Sequence, residues 1–301
     1  MRSHGFALPL VLVMLALLTA LTLGLSRMVA TDRDFLLERQ LAWEEEKRIR
    51  DATYSLVLYL LTGNYGQSSV VVDAFELPLN GTPVSIADMQ VKVQSWSGLY
   101  GLAPLGTHKV EAVLRQLFPS ALAAKIAAEL ADWSDEDHKR RFLGYERADY
   151  VSEGFAQRPR NAPLRSIDEL LELPSVTAAM MRGDAETVGL TDLFLAGGED
   201  NFDLGTAPDV LIGAVLRLND NQTRDVIEAR RRNDWQAVLA SIDENHDAFN
   251  DHSPFWKGYK YRLDFESNRR VASRVDIELS PYDQDSLFKI IEWQVPRINY
   301  E

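Results

Sequence analysis

Residues 6–62 read FALPLVLVMLALLTALTLGLSRMVATDRDFLLERQLAWEEEKRIRDATYSLVLYLLT, and no charge interrupts Phe6 to Ser26. That run of about twenty residues matches the length of helix that spans a bilayer. Neither proline nor glycine occurs from Arg27 to Thr62. A membrane-length helix and a soluble helix are therefore expected to form one rod over 6–62, on the order of 85 Å long at 1.5 Å per residue. Leu37, Leu41, Ile49, Ala52, Leu56 and Leu60 supply an apolar stripe at helical intervals, and Glu44 with Arg48 and Glu46 with Arg50 are spaced for i,i+4 pairs. Gly63 and Asn64 supply the stop.

Beyond the stop the period changes. SVVVDAFELPL and VSIADMQVKVQSW are rich in β-branched residues, and Met89, Val91 and Val93 alternate with Gln90, Lys92 and Gln94, so two strands are expected. Alternation returns near the end: Tyr259, Tyr261, Leu263 and Phe265 interleave with charged residues, Ser273, Val275, Ile277 and Leu279 repeat the pattern, and FKIIEWQV makes a third strand. Between them, Thr107–Trp133 and Pro208–Arg232 carry helical periodicity and share a weak repeat, LGT followed by VLR and a second helix. Each copy reads as a helical hairpin. The expected class is α+β: a long helix over 6–62, first strands over 63–100, a helical domain over 101–254 inserted into the sheet, and closing strands over 255–301, with the stripe of the first helix covering one sheet face.

Composition narrows the function. The 301 residues carry 45 acids against 32 bases, a net charge of −13, which argues against a grip on nucleic acid or an anionic membrane surface. The hairpins also lack the glycine-rich turn that nucleic-acid binders set against phosphate, so they read as scaffold. No cysteine is present, so neither disulfides nor thiolate chemistry contribute. His4, His108, His138, His246 and His252 are scattered, without HExxH, GxSxG or a phosphate-cradling loop. No enzymatic role is indicated. A membrane-anchored periplasmic hydrolase using paired carboxylates is the weaker alternative.

Asp132, Asp135, Asp137, Glu146 and Asp149 form the constellation with possible site chemistry. Acids at alternate or third positions in a loop can surround a hard cation, and calcium accepts six to eight oxygens in loose geometry. DWSDEDHKRRFL lacks the glycine and the terminal glutamate of an EF-hand, so a bound cation and a solvated acidic loop both stand. The second acidic run, Asp243 to Pro254, reads as a flexible linker.

The head MRSHG places Gly5 directly before the apolar run and Phe6 at its start. A cleaved secretory signal and a plain signal anchor are open readings. The arrangement also resembles the type IV pilin-like leader, which is cut by a prepilin peptidase after the glycine, leaving a methylated amino-terminal Phe. With GFALPLVLVMLALL, the segments LADWSDEDHKRRFLGYERADY, RPRNAPLRSIDELLELPSV and GTAPDVLIGAVLRLNDNQTRDVIEARR are similar to the type II secretion minor pseudopilin K family over nearly the whole chain. The resemblance implies a pilin-like fold with an inserted helical domain, a non-enzymatic role at the pseudopilus tip beside minor pseudopilins I and J, and calcium in the helical domain. It implies contact with the major pseudopilin and the inner-membrane secretion platform, a single pass through the bacterial inner membrane, and a periplasmic bulk. Leu10 stands fifth after the cut, where pilin-like subunits carry a glutamate, which suits a subunit that docks beneath no other. A minor pilin of a type IV pilus or competence filament shares the leader but would lack the paired hairpins.

Overall fold

The computed structural model describes residues 7–86, 89–102, 107–183, 187–198, 201–243, 246–249, 253–267, 272–283 and 285–294. The chain forms two compact units, Met1–Tyr54 and Ser55–Glu301. One uninterrupted helix, α1 (Ala7–Thr62), supplies the described part of the first unit and runs into the second; from Arg27 on it contains no helix breaker, and Pro9 sits in its first turn.

In the first unit the apolar side chains of Leu10 to Leu23 are open, from 51% exposed at Val11 to 65% at Leu17. Among the described residues no helix is long and apolar enough to cross a membrane. Leu10 to Gly24 of α1 carry no charge. The expected span over 6–26 begins outside the described residues. Two details of the rod depart from expectation. Leu37 and Leu41 are exposed, whereas Ile49, Ala52, Leu56 and Leu60 are buried; periodicity marks a face but not how far along it burial extends. Glu46 does pair with Arg50 at 2.8 Å, but Arg48 turns to Glu45 at 3.6 Å and Glu44 accepts from Gln40 Nε2 at 3.1 Å.

The second unit opens with the last turns of α1, which bring Leu56, Val57 and Leu60 into its core. Gly63 ends the helix with its N–H on Tyr59 O at 2.9 Å, and a Cβ there would lie 2.2 Å from Val70 Cγ1. Strands β1 (Asn64–Tyr65), β2 (Ser69–Val72) and β3 (Phe75–Pro78) make a small antiparallel sheet, and β4 (Asn80–Ile86) and β5 (Met89–Ser95) follow. Where two strands were expected, the continuous apolar look of SVVVDAFELPL hides a turn at Asp73, whose φ of 52° folds β3 back on β2.

After β5 the chain leaves the sheet. A short parallel pair, β6 (Tyr100–Gly101) with β7 (Phe194–Leu195), ties the two halves of the helical block. The first expected hairpin is α2 (Thr107–Leu114) with α3 (Ser120–Ser134); α4 (Arg147–Ser152) and α5 (Ala178–Arg182) come next. The second is α6 (Asp209–Val215) with α7 (Asp220–Arg231), followed by α8 (Trp235–Ala240). Asn219 opens α7 with a capping box: its Oδ1 accepts the Gln222 N–H at 3.0 Å and Gln222 Oε1 accepts the Asn219 N–H at 3.1 Å. Val113, Ala127, Leu130, Tyr150, Ile212 and Val226 belong to one core shared by the helices. The acidic run at 243–254 is not a linker at its described residues. Phe249 is 1% exposed, and Asp247 takes Lys109 Nζ at 3.2 Å and Arg217 Nη2 at 3.5 Å.

The chain returns in β8 (Lys260–Ser267), β9 (Ala272–Leu279) and β10 (Phe288–Gln294), completing an antiparallel sheet of order β10-β9-β8-β5-β4. One face is apolar, with Met89, Val91, Leu263, Phe265, Val275 and Ile277 all buried. On the other face Arg262 forks onto Asp276 at 3.1 and 3.3 Å, and Arg274 onto Asp264 at 2.6 and 3.1 Å. Both arginines then reach the helical block: Arg262 Nη1 donates to Thr191 O, and Arg274 Nη2 to Asp192 Oδ1 at 2.8 Å.

Where the block leaves and rejoins the sheet, three stretches cross at Asp203. Its N–H donates to Ser97 O at 2.7 Å, its carboxylate accepts from Gly205 N at 3.1 Å and Thr206 Oγ1 at 2.6 Å, and Lys257 Nζ stands 3.7 Å away. Burial pushes this carboxyl up from 3.8 to about 6, with Lys257 and Thr206 only partly offsetting it. The folded chain thus holds the proton more tightly than the unfolded chain. The contribution is present in full below about pH 4 and is lost as pH rises toward 6, by at most about 1.4 kcal/mol per unit. Urea unfolding at pH 4, 5 and 6 should show Asp203→Asn losing this downward slope relative to the wild type.

Candidate metal centre

The centre is built where α3 ends. The helix carries Asp132 on its inner face, fully buried, and closes with the Asp135 N–H on Ala131 O at 3.0 Å. Asp137 follows in the turn, and the loop over 138–145 brings Glu146 to the start of α4. One ligand atom each from Asp135, Asp137 and Glu146 lies within 4.8 Å of the others. The remaining two expected acids do not join them. Asp132 accepts the Arg141 N–H at 3.1 Å and Arg141 Nη1 at 2.8 Å; Asp149 accepts the Glu146 N–H at 2.9 Å and Arg140 Nη1 at 2.8 Å.

The three convergent carboxylates are incompletely satisfied. Glu146 is 5% exposed and meets only backbone N–H groups at the start of α4, with no side-chain donor among the described residues, and Asp135 Oδ1 has no hydrogen-bond partner there. A buried carboxylate without a partner is costly when ionised. Accordingly burial first, then the negative charges of Asp132 and Asp135, push the Glu146 carboxyl up, with the Arg147 backbone N–H opposing. An all-oxygen donor set carrying unpaired negative charge is what a hard divalent cation fits. The residues present fit calcium on that ground.

Sequence reasoning missed the clamps around these acids. Arg140 Nε donates to Gly144 O at 3.0 Å, its guanidinium lies 5.7 Å from the Tyr145 ring centroid, and Arg141 also donates to Asp135 Oδ2. Gly144 is required by close approach, since a Cβ would lie 2.0 Å from Asp132 Oδ2. The signal was present as KRR one residue after DED, opposite charge within reach of one loop. Of the other expected positions, Gly5 and Phe6 lie outside the described residues, and Leu10 is an exposed residue of α1.

The residues that form this centre fall inside a recognised domain: residues 105–188 match the family model of the type II secretion system protein K. Over 105–188, then, the chain is similar to protein K. Its overall fold is similar to a chain of the solved GspK-GspI-GspJ complex of the type 2 secretion system from enterotoxigenic Escherichia coli, with a TM-score of 0.55 and 19% identity over 85% of this chain and 96% of that one. Comparison with curated proteins finds no match. The fold class read from the sequence, α+β with a long first helix and a pilin-like sheet interrupted by a helical insertion, is thus borne out, as is the resemblance to minor pseudopilin K.

Within the protein K domain the loop over 139–146 depends on the missing side chain at Gly144. Gly144→Ala should destabilise the chain by about 1–3 kcal/mol in urea unfolding, and amide exchange in 139–146 should accelerate while that in β8 and β9 stays slow.

Proposed function

We propose that this chain is a minor pseudopilin of a type II secretion system, a non-enzymatic filament component. What carries the reading is the position of the protein K domain, inside a strand sequence that leaves one five-stranded sheet after β5 and rejoins it at β8. The fold neighbour comes from an assembly named for GspK, GspI and GspJ, which supports partners of the I and J kind here. The uncharged stretch 6–26 would hold the subunit in the bacterial inner membrane with its bulk in the periplasm, after a prepilin peptidase cuts behind Gly5 and the new amino terminus at Phe6 is methylated.

Assembly then proceeds through the amino-terminal helices, where Ala16, Ala20 and Gly24 allow close approach. Leu10 offers no carboxylate to the amino terminus of a neighbouring subunit. A carboxylate at bilayer depth costs roughly 2.5–3.5 kcal/mol unless paired, so its absence suits a subunit that starts the filament. The bulky helical block would obstruct a further subunit above it and cap growth. Asp135, Asp137 and Glu146 would hold a calcium ion that fastens the loop between α3 and α4.

Intact mass of membrane-extracted protein should show loss of MRSHG and gain of one methyl group; an uncut start, or a start after Gly24, contradicts the pilin-like assignment. Thermal unfolding should give a higher midpoint in calcium than in chelator, since an ion that binds the folded state selectively stabilises it. Equal midpoints would sink the calcium reading.

A further inference from the structure

The convergent carboxylates are compensated unevenly. Arg141 is anchored on fully buried Asp132 through its backbone N–H, 3.3 and 3.1 Å from the two carboxylate oxygens, and through Nη1 at 2.8 Å. The same Nη1 donates to Asp135 Oδ2, whereas Asp135 Oδ1 is buried and has no partner among the described residues. Asp135 is therefore shared between an arginine on one side and the space facing Asp137 and Glu146 on the other. Glu146 receives no such help. The neighbouring cation, Arg140, is engaged by Asp149 and by Gly144 O.

Resting on the reading that Asp135, Asp137 and Glu146 hold a divalent ion, we propose that Arg141 is the site's resident counter-cation, occupying Asp135 when the ion is absent and weakening the ion's hold when it binds. The physics is a competition for one carboxylate. A guanidinium in contact with a ligand oxygen repels a doubly charged ion twice as strongly as a singly charged one. Its anchorage on Asp132 prevents it from swinging away. Asp132 offsets part of the Arg141 charge, so the ion's attraction comes from the three convergent carboxylates less the part of the arginine's repulsion that Asp132 leaves uncancelled. Arg141 is thus a positioning residue: it keeps the loop folded over the site without metal and sets the affinity toward the weak end of calcium sites, about 10⁻⁴ to 10⁻³ M.

Calorimetric titration of the full-length, detergent-extracted chain with calcium chloride tests this, using the wild type, Arg141→Gln and Glu146→Gln. Arg141→Gln should bind one ion per chain about tenfold more tightly while melting at a lower temperature in chelator, and Glu146→Gln should lose binding. Wild-type binding with unchanged or weaker affinity in Arg141→Gln overturns the role of Arg141 and leaves the cation reading standing. No binding by the wild type up to about 10 mM calcium overturns both. If Arg141→Gln does not fold without the ion, the wild type decides: the Arg141 Nε–H resonance should shift in step with site filling, and a fixed resonance during filling overturns the proposal.

Discussion

Two arginines on the polar face of a β-sheet hold this architecture together. Arg262 and Arg274 each fork onto an aspartate of the adjacent strand, Asp276 and Asp264, and each extends its Nη1 to Thr191 O in the helical block, where Arg274 Nη2 also reaches Asp192. Burial by itself weakens the charge on Arg274, but Asp264 and Asp192 outweigh that and hold the guanidinium protonated. A helical insertion could in principle hang from a sheet by two flexible strands. Here it is fixed by charge-assisted hydrogen bonds whose geometry only planar guanidinium groups satisfy, and the buried crossing at Asp203 fixes the point of departure. The result is a sheet whose two faces serve different ends, apolar packing on one and mounting of the insertion on the other.

The same economy governs the loop between α3 and α4. Its acids divide into two sets. Asp132 and Asp149 are tied to Arg141 and Arg140 and shape the loop, while Asp135, paired with Arg141 through Oδ2, converges with Asp137 and Glu146. A loop so poor in apolar contacts is held by electrostatics or not at all, which is why the proposed ion and the arginine clamp bear on the same few carboxylates. That loop lies within the segment matching protein K, so the feature that distinguishes the block from a plain helical hairpin also belongs to the part of the chain with the clearest family likeness.

Much of this was legible in the sequence where a single period ran unbroken. The rod of α1 beyond Gly24 follows from the lack of glycine and proline, β8 and β9 from strict alternation, and the two hairpins from a repeat. What escaped depended on contacts between distant residues. Nothing local distinguishes Leu37 from Leu56, yet one is exposed and the other buried. The turn at Asp73 was concealed because a left-handed aspartate can interrupt an apolar run without proline or glycine. The acidic run near Asp247 looked solvated because Lys109 and Arg217, which neutralise it, lie 138 and 30 residues away. At the candidate metal centre the residue types were readable, but which acids converge depends on which arginines fold back, and spacing does not encode that.

The helical block and the sheet lie in one compact unit, Ser55–Glu301, and their junction through Arg262, Arg274 and Asp203 should make them open as one cooperative body. Native-state hydrogen exchange across a series of low urea concentrations tests it most directly. The account predicts that amides of β8, β9, α3 and α6 converge on one opening free energy with one urea dependence. Exchange of the helical block through its own opening, several kcal/mol below that of the sheet, would contradict it.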